Sequence, residues 1–121
     1  MDVKRIGLMP KKEYDADCLQ RLKQSVAVSS GYAQILVGLC TEQDVNVAET
    51  ILSLKKEKPS ILLECIIPYE TVVIDWNEKL RNRFFLVMEQ CDKETMLQTR
   101  YTTDYLERLE AYIRQYSDAV I

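Results

Sequence analysis

From Ile61 to Ile67, between Pro59 and Pro68, the chain reads Ile-Leu-Leu-Glu-Cys-Ile-Ile, a continuous apolar run. A strand with one wet face alternates apolar and polar residues, whereas a strand covered on both faces has no reason to. The run therefore asks for a parallel sheet with helices above and below it. Val3 to Met9, ending at Pro10, and Gln34 to Leu39 are two earlier strand candidates.

The segments between these runs carry helical spacing. Leu19, Leu22 and Val26 line one side of Tyr14 to Val28, and Gly31 fits the stop. Val47, Ala48, Ile51, Leu52 and Leu54 do the same within Gln43 to Lys58, whose Lys-rich end suits the helix dipole. Asn77 to Gln90 carries Leu80, Phe84, Val87 and Met88 on one side, and Asp104 to Tyr116 forms a last helix. Thr95 to Gln98 is a short strand candidate, and Ala119 to Ile121 starts another that runs to the end of the chain. Strands alternating with helices require right-handed crossovers and a mainly parallel sheet. The expected fold is a single Rossmann-like three-layer α/β/α domain over residues 1–121, shortened at its C-terminus.

Composition removes several chemistries. There is no histidine, which excludes Ser-His-Asp and Cys-His catalysis and imidazole ligation of metals. Cys18, Cys40, Cys65 and Cys91 form no Cys-x-x-Cys pair, so they read as free thiols and no metal is expected. The net charge of −3 comes from interspersed charges without a basic stripe, which argues against nucleic acid as a partner. No apolar run approaches the ~20 residues of a membrane span, and the N-terminus lacks a signal-peptide core, so the expected location is cytoplasmic.

Weak matches in a common order run from Lys4 to Ile121. Ile6-Gly7-Leu8-Met9-Pro10 stands where a Thr-Gly-(His/Tyr)-Arg-Pro turn would close the first strand. Gly38-Leu39-Cys40-Thr41-Glu42-Gln43-Asp44, followed by Ala48-Glu49, stands where a Gly-Gly-Ala-x-Gly-x-Asp loop would lead into an Ala-Glu helix. Pro59, Ile61, Leu63, Pro68, Tyr69, Trp76 and Glu78 follow a Pro-x-Ile-x-Leu, Pro-Phe, Trp-x-Glu block. Tyr101 and Ser117-Asp118 match a closing segment in which Leu109-Glu110 replace Arg-Asn. In these features the chain resembles the YpsA-like branch of the SLOG superfamily. Those Rossmann-like domains are akin to the DNA-processing protein DprA and to the LOG phosphoribohydrolases.

The departures bear on function. A phosphate loop works because glycines let backbone N–H groups reach the oxygens at a positive helix terminus. Here only Gly38 remains, Leu39 and Glu42 replace glycines, and the two arginine positions hold Met9 and Leu109. A carboxylate at Glu42 is expected to repel phosphate from the helix mouth, and the cradle reads as eroded. The bland alternative makes Thr41 a helix N-cap with Glu42 and Asp44 as first-turn acids.

The residues expected to line a ligand site are Gly7, Gly38, Thr41, Asp44, Tyr69 and Trp76, with no catalytic residue and no cofactor. Asp44 would contact a ribose or amine at the strand carboxyl ends, and Trp76 would stack on a base. Glu70 and Asp75 read as a solvated loop rather than an acid/base pair, and Arg81 and Arg83 as surface charges. The expected function is a non-catalytic domain that binds a nucleotide-derived small molecule or serves as a scaffold, with a second copy of the chain as partner. Two alternatives stand beside it. One is a LOG-like nucleoside monophosphate phosphoribohydrolase, although the Pro-Gly-Gly-x-Gly-Thr-x-x-Glu motif is missing. The other is DprA-like binding of single-stranded DNA, against which the acidic balance argues.

Overall fold

A computed structural model describes residues 3–11 and 13–121. Met1 and Asp2, part of the N-terminal segment read above, and Lys12 lie outside the described residues. Strands and helices alternate: β1 (Val3–Leu8), α1 (Ala16–Ala27), β2 (Tyr32–Gly38), α2 (Glu42–Glu57), β3 (Ile61–Ile67), α3 (Glu78–Gln90), β4 (Lys93–Met96), α4 (Tyr105–Tyr116) and β5 (Ala119–Val120). The sheet is five-stranded, ordered β4-β3-β2-β1-β5, and every pairing is parallel. This is the Rossmann-like three-layer α/β fold expected from the pattern.

The two faces are covered unequally. Ile6, Leu8, Ile35, Val37, Leu63 and Cys65 point to the side where Leu22 and Val26 of α1, Val45 and Ile51 of α2, and Phe84 and Val87 of α3 complete the larger core. Leu36 and Ile66 point the other way, where buried Leu109 and Ile113 of α4 complete a smaller cluster edged by Met9, Cys40, Leu97 and Tyr112. A fully buried Leu or Ile contributes roughly 1.5–3 kcal/mol, so the α1–α3 side carries most of the stability.

Helix α4 can lie low on its face because two strand positions lack side chains. A Cβ at Gly38 would stand 2.5 Å from Leu109 Cδ2, and one at Gly7 would run into Ile113 and Ser117. The leucine at 109, expected in place of an arginine, is fully buried against Gly38. Leu39 is likewise buried, with its N–H donated to Ile66 O at 2.9 Å, so it extends the core rather than lining a loop.

Strand β4 differs from expectation. It begins at Lys93 and ends at Met96, two residues before the predicted Thr95–Gln98, because pairing with Glu64–Ile67 sets its register. Charged residues at an edge strand hide it from a search for apolar runs. The steps from β1 to β4 all run one way; α4 then returns the chain to the far side of β1. The reversal lies between β1 and β5, and open α/β sheets bind ligands at such a point, outside the strand carboxyl ends.

Candidate functional site

The carboxyl ends of β1 and β2 meet the N-terminus of α2. Thr41 is the N-cap of α2 and Asp44 its third residue, and together they form a reciprocal capping box. Thr41 Oγ1 accepts from Asp44 N at 3.4 Å, while Asp44 Oδ2 accepts from Thr41 N at 3.0 Å and from Cys40 N at 2.8 Å. Oδ1 accepts from the Tyr14 hydroxyl at 2.7 Å. Asp44 is only 2% exposed. The amides that would face a bound phosphate are therefore turned onto the chain's own carboxylate. No described residue has a positive φ, so the loop also lacks the left-handed step that folds backbone amides into an anion-binding nest.

Glu42, expected at the mouth, stands elsewhere. Its side chain is 61% exposed and pairs with Arg83 of α3 at 3.6 Å. Arg83 also holds Glu49 at 2.6 Å, so this arginine ties α2 to α3 instead of being a lone surface charge. The acid that occupies the helix mouth is Asp44.

Burial dominates the electrostatics. It raises the Asp44 carboxyl above the usual carboxylate range, against hydrogen bonds from Tyr14, Cys40 and Thr41 that pull the other way. Burial, with the Asp44 charge second, pushes the Cys40 thiol up to about 12. The same two causes lift the Tyr14 hydroxyl well above its ordinary value. Both groups stay protonated at neutral pH.

In front of this cluster lies a hollow of about 260 Å³ bordered by Pro10, Lys11, Cys40, Thr41, Asp44 and Tyr105. Lys11 Nζ lies 3.5 Å from Cys18 Sγ. Tyr105 also belongs to an aromatic trio: Tyr69 meets Tyr101 edge-on at 5.2 Å and Tyr105 at 5.3 Å. Tyr69 and Tyr101 in turn border a second hollow of about 290 Å³ with Val72, Ile74 and Asp75.

The structure thus brings Thr41 and Asp44 into one hollow and sets Tyr69 beside it. Gly7 and Gly38 lie beneath α4, where they allow its close approach. Trp76 packs edge-on against Phe84 at 5.6 Å, on the α3 side of the larger core. Tyr14 and Lys11 join the site without having been singled out. Tyr14 stands 30 residues from Asp44, beyond any local spacing rule. Lys11 had one available signal: it directly follows Pro10, just past a parallel strand's carboxyl end. Among the described residues no group of three or more Cys, Asp or Glu could hold a metal ion, and no helix is long and apolar enough to cross a membrane. No family model matches the chain, and no curated protein matches it in sequence.

Proposed function

We propose that the chain is a non-catalytic binding domain that takes the nucleoside part of a nucleotide-derived small molecule in the crevice between Pro10 and Tyr105. No phosphate is gripped there. The observation that carries this reading is the engagement of the Cys40 and Thr41 amides by Asp44. A phosphate would have to displace a carboxylate already matched to those donors and to the helix dipole. Pro10 and the Tyr105 ring offer flat and apolar surface to a base. The protonated state of Cys40 and Tyr14 leaves neither thiolate nor phenolate for nucleophilic or base chemistry.

Calorimetry with nucleosides and their 5′-monophosphates tests this directly. A nucleoside should bind, and its phosphate should change the affinity by less than about tenfold. An affinity that depends on the phosphate, or bond cleavage abolished by Asp44→Ala, defeats the proposal. Failure of every nucleoside to bind removes its ligand half.

A second reading, association with another copy of the chain, is favoured by exposed apolar groups. Phe85 and Leu86 on α3 are 52% and 54% exposed, and Tyr101, Leu106 and Tyr116 are also open around α4. Light scattering should then give twice the 14.1 kDa chain mass, and Leu86→Glu should restore 14.1 kDa. A monomer at all concentrations ends that reading.

A further inference from the structure

Glu64 sits in the middle of β3, on the α4 face of the sheet, and is only 2% exposed. A buried carboxylate is costly unless donors surround it. Gln34 Nε2 donates to Oε1 at 2.7 Å; Thr95 Oγ1 and the Tyr112 hydroxyl donate to Oε2 at 2.9 and 2.6 Å. Oε1 thus takes one of the two hydrogen bonds that a carboxylate oxygen accepts. Lys93 Nζ stands 4.0 Å from it, close enough to pair but too far to hydrogen-bond, and its side chain is 57% exposed.

Glu64 also lines a hollow of about 270 Å³ with Arg5, Lys93, Tyr112 and Tyr116. The rings of Tyr112 and Tyr116 lie 4.6 Å apart and make an aromatic wall. Arg5 is held in place through its backbone: its N–H donates to Asp118 Oδ2 and its carbonyl accepts from Asp118 N, both at 2.8 Å. Arg5 pairs with Gln34 in the first half of β1 and β2, and Tyr116 ends α4, whereas the Asp44 crevice lies past the carboxyl ends of those strands, so the two hollows are separate.

The charges select the ligand class. A simple anion would meet Glu64, and a simple cation would meet Arg5 and Lys93. A molecule carrying both signs at short separation satisfies all three groups. We propose that this hollow is a second binding site for an α-amino acid with an aromatic or apolar side chain. Its ammonium would donate to Glu64 Oε1, its carboxylate would pair with Arg5 and Lys93, and its side chain would lie on Tyr112 and Tyr116.

The test is an NMR titration of the ¹⁵N-labelled full chain with phenylalanine, using 3-phenylpropionate and phenethylamine as half-molecule probes. Phenylalanine should shift the amides of Arg5, Lys93, Tyr112 and Tyr116 to saturation. Each half-molecule should bind at least about tenfold more weakly, since 3-phenylpropionate forfeits the contact to Glu64 and phenethylamine those to Arg5 and Lys93. Arg5→Met and Lys93→Met, both at exposed positions, should each lower the affinity by about tenfold with the remaining spectrum unchanged. Glu64→Gln should weaken phenylalanine more than 3-phenylpropionate; should it fail to fold, the two rim variants still decide. Equal binding of a half-molecule, shifts confined to Thr41 and Tyr105, or no shift at millimolar phenylalanine overturns the proposal.

Discussion

Asp44 and Glu64 are both carboxylates, both 2% exposed and both donated to by a tyrosine hydroxyl, yet they are held in opposite ways. Asp44 is satisfied mostly by its own turn: two of its donors are backbone amides within four residues, at a helix N-terminus whose dipole favours the charge. Glu64 is satisfied only by side chains from β2, β4 and α4, at sequence separations of 30, 31 and 48. A carboxylate held by its own turn is a local folding device. A carboxylate held by three distant elements exists only once the sheet and α4 are assembled.

Breaking each arrangement should expose that difference. Glu64→Ala should have the largest effect, a loss of about 4 kcal/mol in urea denaturation, because Gln34, Thr95 and Tyr112 all lose their acceptor. A loss under ~1 kcal/mol would mean that water replaces the carboxylate freely. Asp44→Ala should cost less, about 3 kcal/mol, combining a lost cap with an unpartnered Tyr14 hydroxyl. Amide exchange should then rise locally at the start of α2, whereas Glu64→Ala should loosen α4 and β4 together.

The comparison sharpens with pH. Burial sets the folded-state pKa of Asp44 above its unfolded value near 4, so the folded chain holds that proton more tightly. The stability this brings is complete below the unfolded value and is lost as pH rises through the folded one. The stability difference between wild type and Asp44→Asn should therefore shrink as pH rises from the unfolded value near 4. A difference that rises instead shows hydrogen bonding outweighing burial. Asp104, the exposed N-cap of α4, runs the other way: Thr102 and then Arg108 lower its pKa, so its contribution fades as pH falls.

The smallest effect is expected at the surface. Arg83→Met should cost about 0.5–1 kcal/mol, reduced by salt, because its pairs with Glu49 and Glu42 are largely solvated. Salt-independence would place that network among the buried ones.

Much of the fold was legible in the chain. The strand Ile61–Ile67 and the helices over residues 78–90 and 105–116 follow from apolar spacing, to within a residue or so. The Thr41–Asp44 cap was legible too, since a capping box is a spacing of three. Glu64 reads as part of an apolar run, because one charge among six apolar neighbours barely alters the pattern. Its donors come from other elements, which no window along the chain contains. Gly7 and Gly38 read as ligand-loop glycines only through the family resemblance, and nothing along the chain says which residue will press on a missing side chain.

Periodicity and turn spacing are interactions between near neighbours, so they were already present in the linear chain. They determine the alternation of strands and helices, the parallel sheet and the Thr41–Asp44 cap of α2. Register and the descent of α4 onto the sheet are contacts between distant segments, and they exist only after assembly. Those contacts decided that Tyr14 would meet Asp44, that Leu109 would lie on Gly38, and that Glu64 would face a hollow ringed by Arg5, Lys93 and two tyrosines.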